Sequence, residues 1–190
     1  LIQIYLANTD WPGNNIKFWR PHLKDGKWKW ILFDTDKGFG QCLYGDCIYH
    51  NTLLFALEDN SLGWPNPPWS TLLFRKLMEN IQFQNKFINR FFYYYNTRFD
   101  PDYVENHITD IVYNINGEMP NHISRWGGDI MTWNQNINLI KDFGSLRADR
   151  VKTHIGDYFG INETSNLNFS VFPPDAGSIS ISNLSIPVNT

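Results

Sequence analysis

Asp10 and Asn15 enclose Trp11-Pro12-Gly13-Asn14, and Asp34 closes the apolar run Trp30-Ile31-Leu32-Phe33. An acid, an amide and a second acid at these intervals suit phosphoryl transfer. That reaction asks a protein for a carboxylate beside the attacking hydroxyl and for oxygen ligands that hold a divalent cation against the phosphates. Protein kinases space these parts as an Asp, four intervening residues and a metal-binding Asn, followed beyond a hairpin by a second metal-binding Asp. All three parts occur here in that order. Asp36 stands two residues after Asp34 in Asp34-Thr35-Asp36-Lys37-Gly38-Phe39-Gly40 and competes with it as the metal ligand. Each piece also has a plainer reading, Asp10 and Asn15 as loop caps and Asp34 as a turn residue. The joint arrangement, with two carboxylates just past a strand expected to be buried, suits a cation better than a solvated face.

These residues need elements to position them. Ile2, Ile4, Tyr5 and Leu6 form a short apolar element that leads into irregular backbone marked by Pro12-Gly13 and Asn14-Asn15. Ile16, Phe18 and Arg20 alternate with Lys17 and Trp19, and Lys24-Asp25-Gly26-Lys27 offers a turn before Trp28 to Phe33. The expected product is a β-hairpin with acidic residues at both outer ends. Gly63 to Trp69 breaks any helix and approaches Ser70, a candidate N-cap. Leu73, Leu77, Ile81, Phe87, Phe91 and Tyr95 recur at helical spacing, which predicts one or two helices over 70–98. Asp100-Pro101 opens another, with Val104, Ile108, Ile111, Val112 and Ile115 on one side. Thr132 is expected to cap a third, carrying Trp133, Ile137, Ile140 and Phe143, and 148–159 a fourth, ended by Gly160. These helices should pack beneath the hairpin and bury Phe74, Leu77, Phe91, Ile108 and Ile111.

After Gly160 the composition changes, with no Lys or Arg over 161–190. Leu167, Phe169 and Val171 alternate with polar residues, and Pro173 to Gly177 turns the chain into Ser178 to Ser182, which reads as the first two strands of a β-module. The expected fold class is therefore α+β, mostly helical, with a main domain over 1–160 and a strand segment over 161–190.

The composition narrows the chemistry. Aromatic residues make up 16% of the 190-residue chain and charged residues 18%, which is a core-forming composition and not a disordered one. A net charge of −3 without a basic stripe argues against nucleic acid as a partner. No apolar run is long enough to span a bilayer. The five His residues form no metal-ligand pattern, and neither a G-x-S-x-G elbow nor a P-loop occurs. Cys42 and Cys47 are spaced to close a small disulfide loop, which would favour an exported protein, or to stay as two thiols. Arg125, Arg147 and Arg150 could meet a phosphate, brace the catalytic loop or simply face solvent.

Asn8-Thr9-Asp10-Trp11-Pro12-Gly13-Asn14-Asn15-Ile16-Lys17-Phe18-Trp19-Arg20 and Trp28-Lys29-Trp30-Ile31-Leu32-Phe33-Asp34-Thr35-Asp36-Lys37-Gly38-Phe39-Gly40 resemble the signature of the CotH family, spore-coat-protein-H-like atypical protein kinases. Asn121 to Trp126, Trp133, Phe143, Arg147 and Arg150 are similar to later blocks of that family, and the resemblance covers about residues 1–160. It implies a kinase-like C-terminal lobe in which Asp10 is the catalytic Asp, while Asn15 and Asp34, with Asp36 as competitor, hold Mg2+ or Mn2+. It also implies ATP as co-substrate, Ser or Thr of a protein as acceptor, and an extracytoplasmic, cell-surface or spore-associated location. Asn8-Thr9-Asp10 replaces the usual His-Arg-Asp and Asp34-Thr35-Asp36 the usual Asp-Phe-Gly, which puts conventional activation-loop control in doubt. Only nine residues precede Asp10. The nucleotide-binding lobe is therefore expected outside this chain, which alone should be inactive. Two other readings stay open: a cell-surface adhesion module with calcium on Asp34 and Asp36 and glycan on exposed Trp residues, or a kinase-fold scaffold without activity.

Overall fold

A computed structural model describes all residues except 44, 59–62, 162, 166, 174–175, 182–183 and 187–190. In chain order its elements are α1 (Ile2–Tyr5), β1 (Lys17–Trp19), β2 (Lys29–Ile31), α2 (Thr52–Leu57), α3 (Leu72–Met78), α4 (Ile81–Tyr95), α5 (Pro101–Asn116), α6 (Met119–Trp126), α7 (Ile130–Phe159), β3 (Ile179–Ile181) and β4 (Leu184–Ile186). The architecture is α+β and mostly helical, as expected.

Helix α7 is the axis of the body and packs against α1, α2, α4, α5 and α6. Its inner stripe of Phe143, Arg147, Ala148, Val151 and Ile155 is buried. Ala148, Val151 and Ile155 meet Ile4 and Tyr5 of α1, Leu53 of α2, Met78 of α3, and Phe87 and Phe91 of α4 in one core. Tyr5 stacks on Phe99 with ring centroids 3.8 Å apart. Helix α5 comes close to α7 at Gly144, where a Cβ would stand 2.7 Å from Val104 Cγ1.

Several boundaries follow the local chemistry. Asp100 caps α5 by accepting from the Tyr103 N–H, with Pro101 in the first turn. Gly160 ends α7 in the left-handed conformation. The stretch over 70–98 forms two helices, the second capped by Asn80.

Other expectations are corrected. Ser70 does not cap α3; its hydroxyl donates to Pro67 O and Asn66 Oδ1. Asp129 caps α7, and Thr132, three residues inside, gives its N–H and hydroxyl to that carboxylate. The two helices expected over 132–159 are one, because no residue between them breaks the backbone hydrogen-bond ladder. Helix α6 was not foreseen. Phe91 and Ile108 are buried and Phe74 packs partly buried on the core, but Leu77 and Ile111 are exposed at the edges of their helices.

The hairpin is also corrected. Its register pairs Lys17 with Ile31, Phe18 with Trp30 and Trp19 with Lys29. Every residue of both strands is exposed, so the helices do not pack beneath it and the strand before Asp34 is not a buried one. Its aromatic rings lean on one another and on cations instead: Phe18 edges onto Trp28, Lys17 lies over Phe33 and Lys29 over Trp19. In the C-terminal segment β3 pairs with β4, whereas Leu167 to Val171 forms no strand. Pro174, Asp175 and Ser182 of the expected turn and strand lie outside the described residues.

Candidate active site

The loop that carries Asp10 leaves the end of α1 and is fixed by the backbone on either side. Asn8 and Thr9 are fully buried. Asn8 Nδ2 donates to Gln3 Oε1, and its Oδ1 accepts the Asp10 N–H at 3.0 Å. The Thr9 N–H donates to Lys37 O, and the Thr9 hydroxyl accepts the Leu43 N–H at 2.9 Å. The Phe39 N–H donates to Leu6 O at 2.7 Å. These bonds bring the segment after Asp34 against the segment before Asp10.

Two glycines permit this closeness. A Cβ on Gly13 would lie 2.5 Å from Pro65 O, the acceptor of the Gly13 N–H, and one on Gly38 would lie 2.8 Å from Leu6 O. The Pro65 wall is held in turn by Asn66, a buried side chain that donates to Phe55 O.

Within this frame the sequence-derived residues meet. Asn15 Nδ2 donates to Asp10 Oδ2 at 2.8 Å and reaches Asp34 O at 3.4 Å. Asn14 Nδ2 donates to the same Asp10 oxygen at 3.0 Å. Asn15 and Asp34 both hold positive φ, 52° and 51°, which turns the chain sharply at each root of the hairpin. Asp36 is exposed and pairs with Lys37 at 3.1 Å. Lys37 holds its carboxyl below the usual range, and a side-chain contact with Asp34 acts in the same direction.

The donor set fits a hard divalent cation. With its amide N–H groups committed to Asp10 and Asp34, Asn15 has Oδ1 to offer a metal. Asp34 and Asp36 stand two residues apart in sequence, and if both are ionised a cation between them would relieve their repulsion. Among the described residues no three His, Cys, Asp or Glu side chains converge as a metal nest. An ion here would take one or two carboxylates and complete its shell with water and phosphate oxygens, the usual habit of magnesium.

Arg147 supports the site in a way the sequence left open. It is fully buried and donates to six acceptors: Ile4 O, Tyr5 O, Cys47 O, Ile48 O, His50 O and Thr52 Oγ1. Burial lowers its pKa to about 10, which leaves it charged at neutral pH. The guanidinium thus ties the end of α1, from which the Asp10 loop departs, to the segment before α2. This is a brace and not a phosphate site. Its place four residues from both Phe143 and Val151 on an apolar stripe was the available signal. Arg150 stacks over Tyr49 and Arg125 over Trp126.

Cys42 and Cys47 form a disulfide with Cα atoms 5.4 Å apart, which settles the choice between bridge and free thiols. A cleft of about 660 Å³ opens beside it, lined by Gly40, Asp46, Gln135, Asn138 and Asp142 among others. On the other side of the Asp34 segment, Thr35 and Phe39 share an apolar groove of about 500 Å³ with α5 and α7.

The family model described as CotH kinase protein matches residues 1–151. The chain belongs to the CotH kinase family. That match contains the whole Asp10–Asn15–Asp34 arrangement and extends along α7 through Arg147 to Val151. Comparison with curated proteins and with solved structures gave no match in either case. No helix among the described residues is long and apolar enough to cross a membrane.

Proposed function

We propose that the protein transfers the γ-phosphoryl group of ATP to Ser or Thr hydroxyls of proteins, with Asp10 as the catalytic carboxylate and Asn15 and Asp34 as ligands of Mg2+ or Mn2+. The observation that carries this reading is the Asn15 amide bridging the Asp10 carboxylate and the Asp34 backbone. Asp10 takes the hydroxyl proton as the oxygen bonds to the γ-phosphorus and ADP departs. When bound, the divalent ion neutralises charge on the phosphates. Asn14 and Asn15 keep the Asp10 carboxylate oriented, and Asp36 stands beside Asp34 as a further oxygen ligand. A disulfide next to the site suits an oxidising, extracytoplasmic compartment.

Asp10→Ala and Asp34→Ala in the full-length protein should each lower transfer to a protein acceptor by at least about 100-fold, the usual worth of a positioned acid or base. Circular dichroism should show the fold unchanged. Wild-type rates in both variants would overturn the assignment. A second reading, a glycan-binding surface module, draws support from Trp64 and Trp69, each 62% exposed. Glycan binding that survives Asp10→Ala and fails in Trp64→Ala would favour it.

A further inference from the structure

The disulfide segment touches the Asp10 loop at two points and the Arg147 brace at a third. Cys42 Sγ lies 3.3 Å from Ala7 O, the neighbouring Leu43 donates its N–H to the buried Thr9 hydroxyl, and Cys47 O accepts from Arg147. Cys47 also packs with Ala7 and Phe143 in a small buried cluster on which Cys42 and Phe39 rest. Without the bridge, Leu43 would be held against Thr9 by a single hydrogen bond from its N–H to the Thr9 hydroxyl, worth only about 1 kcal/mol net. With it, Leu43 is tethered through Cys47 to Arg147 and the core.

The bridge is also reachable. Cys47 is buried, but Cys42 is only half-buried and both line the open 660 Å³ cleft. A thiolate entering there would meet Cys42 Sγ first. The leaving sulfur, Cys47 Sγ, already accepts the Cys42 backbone N–H at 2.6 Å, a contact that stabilises a departing thiolate. Asp46 and Asp142 line the same cleft and favour a reductant that carries no negative charge beyond its attacking thiolate.

We propose that the Cys42–Cys47 disulfide is a redox-sensitive clamp on the loop that carries Asp10, holding the loop in place when oxidised and releasing it when reduced. The reaction is a thiol–disulfide exchange with a dithiol. One reductant thiolate attacks Cys42 Sγ, Cys47 leaves as the thiolate and takes a proton, and the second reductant thiol resolves the mixed disulfide. The reductant becomes a disulfide and the protein gains two thiols. The consequence for activity rests on the reading of Asp10 as the catalytic carboxylate.

Hydrogen exchange read by mass spectrometry, with and without dithiothreitol and with the thiol state checked by alkylation, tests the clamp. Reduction should speed exchange of the peptide covering 7–15 by at least about ten-fold, while α4, α5 and α7 keep their protection. The double variant C42S/C47S should exchange fast in this peptide with or without dithiothreitol. Equal protection of 7–15 in the oxidised and reduced protein would overturn the proposal. So would a loss of protection that spreads through α4 and α7, since the bridge would then be a general staple. In the full-length protein, phosphoryl transfer should fall on reduction and be indifferent to dithiothreitol in C42S/C47S; transfer unchanged by reduction would overturn the switch. Faster loop exchange in a protein that transfers no phosphate in either state would leave the clamp standing and remove the proposed function.

Discussion

The hairpin and the loops at its root are continuous in sequence and opposite in construction. In the hairpin, Phe18, Trp19, Trp30 and Ile31 are each about half exposed, and its order comes from three backbone pairs and from ring and cation contacts. At the root, Asn8 and Thr9 are sealed, Gly13 and Gly38 stand against carbonyl oxygens, and Arg147 gathers the nearby backbone. The geometry around Asp10 is therefore set by the helical body through buried polar bonds. The hairpin separates Asn15 from Asp34 in sequence and leaves its aromatic surface free.

That contrast can be broken most forcefully at Arg147. Arg147→Met keeps the volume but strands buried carbonyls, each costing about 1–3 kcal/mol when left unsatisfied. The net loss should be at least about 3 kcal/mol in denaturant unfolding, with faster exchange in both 4–10 and 47–52.

A smaller effect is expected at Gly13. Gly13→Ala places a methyl group 2.5 Å from Pro65 O, so the loop or the Pro65 wall must shift, at a cost of about 1–3 kcal/mol. The Asn15–Asp10 hydrogen bond should weaken with it.

A pH dependence should follow from His154. Burial, with Arg147 adding to it, lowers its pKa from 6.5 to about 4, and among the described residues its Nδ1 is buried without a hydrogen-bond partner. His50 is lowered as well, again by burial first and Arg147 second. Between these values the unfolded chain binds more protons than the folded one, so stability falls as pH drops from about 6.5 towards 4. The melting temperature should be lower at pH 5 than at pH 7, and His154→Gln should flatten that slope.

The smallest effect belongs to the hairpin. Trp30→Ala should change stability by no more than about 0.5 kcal/mol, as expected of an exposed side chain, and should leave the exchange of 7–15 unaltered. A loss as large as that of Arg147→Met would erase the contrast.

What could be read from the sequence was whatever adjacent residues determine. Asp100-Pro101 announced the start of α5 because cap and first turn are neighbours, and Gly160 announced the end of α7 for the same reason. The meeting of Asp10 and Asn15 with the Asp34 segment was legible because a motif preserves spacing across a hairpin. Burial was less legible. An aromatic, apolar run such as Trp30-Ile31-Leu32 reads the same whether it fills a core or covers an exposed ribbon, and Ile111 follows the period of α5 yet stays exposed along the groove between α5 and α7. The close approach of α5 to α7 depends on Gly144 fitting under Val104, a contact 40 residues away in sequence. The six acceptors of Arg147 come from backbone that no side-chain pattern encodes.

The central claim, that Asn15 and Asp34 hold a divalent cation beside Asp10, is tested most directly by titrating Mn2+ into the isotopically labelled chain and following paramagnetic line broadening. The account predicts that the Asn15 side-chain amide and the backbone amides of Asp34 to Asp36 broaden first, and that Asp34→Ala removes this effect while leaving the rest of the spectrum in place. Broadening that begins at Asp46 and Asp142, or that is unchanged in Asp34→Ala, would contradict it.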